Sequence, residues 1–191
     1  MFVTSAVESI DDRVLRILAK GHTRQDFIDA AAICREADLT LVPTFVAFHP
    51  WLTLDDYCEL LEVIDALDLV DHVAPIQLAI RLLITEGSRL LELPEIRAIA
   101  DTFDPATMTY PWRHDDPRVD LLQAQLASLV GSRSEASRTE TFGELWTIAH
   151  AAAALEAPDR RPEILPKPTI PHLNEPWYCC AEPTTGQAAL I

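Results

Sequence analysis

Apolar residues in the first part of the chain fall into three runs that predict strands. Residues 2–9 form a run rich in β-branched and apolar side chains, and residues 39–48 form a second run that is almost wholly apolar. The second run has the character of a strand buried on both faces of a sheet. A third apolar run covers residues 73–84, with Pro75 near its start, where a strand tolerates proline.

Between these runs, apolar residues recur at helical spacing. Asp11 or Asp12 is expected to cap the start of a short first helix. Gly21 is expected to be the residue with a left-handed conformation that ends this helix. Two longer helices are predicted by capping boxes, in which an aspartate follows a threonine by three positions: Thr23 with Asp26, and Thr53 with Asp56. The alternation of strands and helices predicts βα units and a parallel sheet.

Beyond the third run the pattern becomes helical and then proline-rich. Asp116, followed by proline, predicts the start of one helix, and residues 137–155 predict another. Seven of the fourteen prolines lie in the last part of the chain, which predicts an extended tail. We therefore expect an α/β segment over residues 1–93, a helical segment over residues 94–156 and a tail over residues 157–191.

Composition narrows the classes of function. The 191 residues carry a net charge of -15, and no basic patch offsets it, so we expect no nucleic-acid partner. No basic leader with an apolar core opens the sequence, and no apolar run approaches the ~20 residues that span a bilayer. The four cysteines are too few and too unevenly spaced for a secreted disulfide framework. These features predict a cytoplasmic protein without a membrane partner.

Candidate chemistry lies where the predicted strands end, since parallel α/β folds place reactive groups there. Glu8 and Ser9 offer a carboxylate and a hydroxyl that suit the hydroxyl groups of a ribose; alternatively, they only cap the following helix. His49 and His72 lack the spacing of a metal site, so we expect ordinary loop histidines.

The cysteines divide into two kinds. Cys34 and Cys58 lie in predicted helices and are expected to be small buried hydrophobic residues. Cys179 and Cys180 are adjacent in the tail, where a disulfide between them would be strained and easily reduced. Such a pair suits thiol exchange or the capture of a soft metal. The alternative is a pair packed by the neighbouring Trp177-Tyr178 dipeptide, without chemistry.

Several blocks of the chain resemble radical S-adenosylmethionine (SAM) proteins. Residues 5–23, SAVESIDDRVLRILAKGHT, are similar to the fourth strand and helix of these proteins. Residues 43–48 (PTFVAF) and 53–57 (TLDDY) look like the fifth strand and its helix, and residues 77–84 (QLAIRLLI) look like the sixth strand. Residues 179–183, CCAEP, resemble the tail of the CUAEP/CCAEP-tail radical SAM proteins, in which the second position can be selenocysteine.

The resemblance implies a partial (β/α) barrel that holds a [4Fe–4S] cluster and cleaves SAM reductively to a 5′-deoxyadenosyl radical. By position, Glu8 and Ser9 would contact the ribose or amino group of SAM, and Arg13 would reach its carboxylate. Cys179 and Cys180 are the candidate catalytic residues, and whether they act on the substrate, the cluster or a reductant stays open. The fifth-strand block departs from the family's usual Gly-x-Ile-x-Gly-x-x-Glu pattern, so no adenine contact is transferred.

The cluster motif Cys-x3-Cys-x2-Cys does not occur in the sequence. We therefore expect the C-terminal part of a radical SAM enzyme, inactive alone and completed by a missing N-terminal half or by a separate chain. The alternative is a non-enzymatic thiol-relay or binding module that uses the vicinal cysteines. A third interpretation, a small α/β hydrolase, has no activated nucleophile beside a base to support it. The substrate, a small molecule or a peptide, is not indicated.

Overall fold

The computed structural model describes residues 1–133 and 136–160. This part of the chain contains two strands, β1 (Phe2–Glu8) and β2 (Thr40–Phe45). Its six α-helices are α1 (Asp12–Ile17), α2 (Arg24–Glu36), α3 (Leu54–Ala66), α4 (Pro94–Ile99), α5 (Pro117–Ser132) and α6 (Arg138–Ala153). Three short 3₁₀ helices span Val70–His72, Pro75–Leu78 and Arg89–Glu92.

The two strands form a small parallel sheet, as the alternation of strands and helices predicts. Phe2 pairs with Thr40 and the register continues residue by residue to Ala6. It then shifts, so that Glu8 lies opposite Phe45. The fold is therefore mixed helix and strand, with both strands ending at the same edge of the sheet.

The third predicted strand, over residues 73–84, is wrong. Residues Pro75–Leu78 form a 3₁₀ helix, and the described pairing in this segment is one isolated parallel bridge between Phe48 and Arg81. Pro75 has no N–H for a sheet ladder, and its fixed φ suits the first turn of a helix. The residues that follow are buried, and a buried turn has the same apolar sequence as a buried strand.

A side chain takes the place of that strand on β2. Gln77 is buried, and its side-chain oxygen accepts a hydrogen bond from the backbone N–H of Phe45 at 2.8 Å. The Nδ1 of His72 donates to the carbonyl oxygen of Leu41 at 2.7 Å. The outer edge of β2 is thus satisfied by two side chains rather than by a neighbouring strand.

Replacing Gln77 by leucine is expected to lower the free energy of unfolding by about 1–3 kcal/mol, because the buried N–H of Phe45 then has no acceptor. Urea denaturation followed by circular dichroism measures this loss. Gln25→Leu is the matched control, since that glutamine is exposed and bonds only to the neighbouring Asp29. Equal midpoints for the two variants would contradict the role assigned to Gln77.

The predicted helix starts are confirmed. Thr23 and Thr53 each form a complete capping box, and a third box forms at Ser137. Asp116 caps α5, with the following proline in the first turn. These contacts are local, which is why spacing alone predicts them.

The predicted end of α1 is wrong. Ala19, and not Gly21, has the left-handed φ of 54°. Lys20 donates its backbone N–H to the carbonyl oxygen of Leu15 at 2.8 Å, which closes the last turn before the chain reaches the glycine.

The interior has two hydrophobic clusters. The main core joins the sheet to α2, α3, α5 and α6, and so contains residues from both the predicted α/β segment and the predicted helical segment. A second cluster consists of Leu82, Ile84, Ile96 and Trp112. Arg81 lies beside it, with its guanidinium 3.7 Å from the Trp112 ring and bonded to Asp120 at 2.7 Å. Among the described helices, none combines the length and the apolar character that crossing a membrane requires.

Candidate functional site

A cleft of about 350 Å³ opens where β1 and β2 end, at the edge of the sheet where the sequence predicts chemistry. Glu8 and Ser9 both line it, together with Arg24 and His49. The remaining polar lining consists of four carboxylate side chains: Asp11, Asp12, Asp56 and Glu59.

Glu8 enters the cleft from an unusual backbone conformation. Its φ is 67°, and it follows the register shift in the sheet. The other left-handed non-glycine residues of the described chain end helices or sit in a turn: Ala19, Asp38, Asp68, Met108 and Ala154. At Glu8 the positive φ belongs to a tight three-residue turn, in which the N–H of Ser9 donates to the carbonyl oxygen of Val7 at 2.8 Å. A positive φ costs a glutamate about 1 kcal/mol or more. Strain of this kind is concentrated at functional sites, so Glu8 is the strongest local indication of one.

The Glu8 carboxylate is held by one cation. Lys20 donates to it at 2.8 Å, and the Glu8 side chain is 19% exposed. The carbonyl oxygen of Glu8 accepts from the N–H of Val46, the first residue after β2. Both ends of the residue are thus fixed, and one carboxylate oxygen is left for a ligand.

Ser9 supports the start of α1 and also lines the cleft; a contact between its hydroxyl and a ribose stays a prediction. Its buried hydroxyl oxygen accepts from the N–H of Asp11 at 3.1 Å, which supports the turn into α1. Asp11 itself caps that helix by accepting from the N–H of Arg13 at 2.7 Å. Because the Ser9 oxygen only accepts in this contact, its proton is available to a group bound in the cleft.

The other carboxylates are fixed by the ends of the helices. Asp56 closes the capping box of α3, and Asp12 accepts from the N–H of Arg24 at 2.8 Å. The Arg24 guanidinium also pairs with Glu59 at 2.6 Å. With five carboxylates and one arginine in its lining, the cleft has a negative potential, which favours cationic or neutral ligands over phosphorylated ones.

His49, which the sequence predicts to be an ordinary loop histidine, is buried beside the cleft. It is 5% exposed, and its Nδ1 atom is buried with no hydrogen-bond partner in residues 1–133 and 136–160. Burial lowers the pKa of His49 to about 4, against the opposing charges of Asp11 and Asp56. The imidazole is therefore neutral at pH 7. The sequence feature that could have indicated a site at His49 is its position just beyond β2, at the edge of the sheet where Glu8 also lies.

Arg13 is placed differently from the other predicted SAM contacts. Its guanidinium points to the carbonyl oxygen of Trp51 at 3.4 Å, and it does not line the cleft. Arg24 is the cation that does. A contact between Arg13 and a bound carboxylate stays a prediction.

The cysteines that the structure describes are not at the cleft. Cys58 is buried in α3, and burial raises its pKa to about 11, so it is a neutral thiol packed in the core. Cys34 is half-buried on α2. Cys179 and Cys180 lie outside the described residues. Within the described ranges, no three histidine, cysteine or acidic side chains form a group that would hold a metal ion.

Comparison of the chain with protein-family models, with curated proteins and with solved structures finds no match.

Proposed function

We propose that this chain is the C-terminal part of a radical SAM enzyme and that the cleft holds SAM. The observation that carries the proposal is the left-handed conformation of Glu8, which ends β1 beside the end of the parallel strand β2. Glu8 and Ser9 also lie in the sequence block that resembles the fourth strand of the family. In this proposal, β1 and β2 are two neighbouring strands of a partial barrel.

The chemistry of the cleft fits SAM. The sulfonium and ammonium groups of SAM are cationic and complement the five carboxylates of the lining. The volume of about 350 Å³ lies within the ~300–1,000 Å³ of ordinary ligand sites. Glu8 would accept from the ribose or the ammonium group, and Ser9 would donate. When bound and reductively cleaved, SAM supplies a 5′-deoxyadenosyl radical.

The described residues do not fit the iron–sulfur cluster. A cluster needs several thiolates held together, whereas Cys58 is a buried neutral thiol and Cys34 lies on a different helix. We therefore assign no step through a cluster to residues 1–133 and 136–160. In this proposal the cluster is held by another polypeptide segment, and the present chain binds SAM without cleaving it.

The edge of β1 supports a partner of this kind. Among the described residues, β1 pairs only with β2, and Phe2 and Val3 on it are 55% and 39% exposed. An uncovered strand edge with exposed apolar residues is a site for adding a strand. On the outer edge of β2, by contrast, the N–H of Phe45 and the carbonyl oxygen of Leu41 are already bonded to Gln77 and His72.

Isothermal titration of the 191-residue chain with SAM tests the proposal. We expect binding, and we expect Glu8→Gln to weaken it about 10- to 100-fold, because one charge-assisted hydrogen bond is lost. Glu36→Gln is the matched control, since it removes the same charge from an exposed position at the end of α2. No binding of SAM, or equal binding by the two variants, would contradict the proposal.

A second experiment tests whether SAM binding and the iron–sulfur cluster belong to two different polypeptides. The chain would be purified anaerobically with the product of the reading frame upstream of it, and 5′-deoxyadenosine would be measured after addition of dithionite and SAM. We expect iron and 5′-deoxyadenosine when both polypeptides are present and neither from this chain alone. A complex that contains iron but leaves SAM intact would count against radical SAM chemistry.

A further inference from the structure

His49 is a polar side chain of the cleft, and one of its two ring nitrogens has no hydrogen-bond partner among the described residues. It is 5% exposed, it lines the cleft, and its Nδ1 has no partner within the described residues. The carboxylates that share the lining differ from it, because helix caps and ion pairs engage them. A buried polar atom without a partner is costly, which points to a group that binds there.

We propose that His49 is a specificity-determining residue that hydrogen-bonds to a hydroxyl group of the bound molecule, and that the cleft selects neutral or cationic hydroxyl-bearing ligands of nucleoside size. The inference deepens the proposed function, on which it rests, by naming the class of ligand and a contact that the sequence resemblance does not supply.

A hydroxyl group suits this position for two reasons. A neutral imidazole has one donor and one acceptor nitrogen, and a hydroxyl can partner either of them, whichever tautomer is present. The hydroxyl also adds no negative charge to a cleft that already contains Asp11 and Asp56 close to His49. A phosphate group would be repelled by the same carboxylates, and Arg24 is already paired with Glu59.

Three ligands separate these features: adenosine, 2′,3′-dideoxyadenosine, which lacks the 2′- and 3′-hydroxyl groups, and adenosine 5′-monophosphate. For the 191-residue chain we expect adenosine to bind about ten-fold or more tightly than either of the others. His49→Phe, similar in shape but without hydrogen-bonding atoms, is expected to reduce the preference for adenosine over dideoxyadenosine about ten-fold. His49→Gln keeps a hydrogen-bond donor and an acceptor, so this variant is expected to retain most of the preference for adenosine over dideoxyadenosine.

Nitrogen NMR of the histidine rings tests the contact without a variant. Adenosine is expected to shift the ring nitrogens of His49 and to leave those of His150 unchanged, because His150 is buried in α6 and bonded to Trp146. If the His49 signals do not move while adenosine binds, the inference is overturned, and a bound water then accounts for the free Nδ1.

The outcomes separate this inference from the proposed function. If SAM binds and Glu8→Gln weakens it, but His49→Phe leaves the preference among the nucleosides intact, the inference fails and the proposed function stands. If adenosine binds through His49 while SAM does not bind, the inference stands and the proposed function fails. Absence of adenosine binding at millimolar concentration overturns the inference, whatever SAM does.

Discussion

Replacing Tyr57 by alanine is expected to lower the free energy of unfolding by about 3–5 kcal/mol, the range found when large buried aromatic side chains are truncated. Tyr57 is fully buried in α3, and its ring lies 4.9 Å from the ring of Phe48, centroid to centroid. Its hydroxyl donates to the carbonyl oxygen of Leu78 at 2.7 Å. It thus joins α3 to the segment after β2 and to the turn that covers the sheet.

Two further variants divide this loss into its parts. Tyr57→Phe keeps the ring and leaves the carbonyl oxygen of Leu78 without its donor, so we expect a loss of about 1–3 kcal/mol. Tyr110→Phe is the matched control, because that half-buried tyrosine packs its ring on Phe103 and its hydroxyl has no partner in the described part of the chain. Urea denaturation measures all three. A Tyr57→Phe variant as stable as Tyr110→Phe would show that the bond to Leu78 contributes nothing.

Acidification is expected to destabilise the protein through His49. Burial lowers the pKa of His49 to about 4 from its ordinary value of 6.5, with Asp11 and Asp56 opposing the shift and His114 and Arg13 adding to it. Between these two values the unfolded chain binds a proton that the folded chain does not. The unfolded state is therefore stabilised relative to the folded state as the pH falls. The stability of the fold is unaffected by this residue above about pH 6.5 and decreases from there towards pH 4.

The size of this effect is about 3 kcal/mol over the whole interval, since one pKa unit corresponds to about 1.4 kcal/mol. His49→Phe does not titrate, so the difference in unfolding free energy between wild type and variant isolates this residue from the carboxylates, which titrate in both. Between pH 7 and pH 4.5, we expect the unfolding free energy of the wild type to decrease more than that of the variant. Parallel curves for the two proteins would contradict the buried neutral state of His49, and His49→Gln provides a second non-titrating comparison.

The helices and the first two strands were predictable because their signals are local. The capping boxes at Thr23 and Thr53 need only a side chain and a backbone N–H three residues away. The parallel arrangement of β1 and β2 follows from the helices between them. The position of Glu8 and Ser9 at a cleft follows in turn, because parallel strands end at one edge of a sheet.

The third strand was not predictable in the same way. Hydrophobicity indicates that residues 73–84 are mostly buried, but both a strand and a compact turn bury such a segment. The deciding contact joins Gln77 to Phe45, which are 32 positions apart in the chain. No local pattern contains that contact.

The functional assignment shows the same division. The sequence by itself determined the starts of α1, α2, α3, α5 and α6 and the two strands, because each depends on neighbours within a few positions. The edge at which the cleft lies then follows from the parallel order of the strands. Only the tertiary structure decided that Glu8 has a left-handed φ, that Arg24 and not Arg13 lines the cleft, and that His49 is buried and neutral. These properties depend on charge and solvent exclusion contributed by distant segments, and spacing along the chain does not record them.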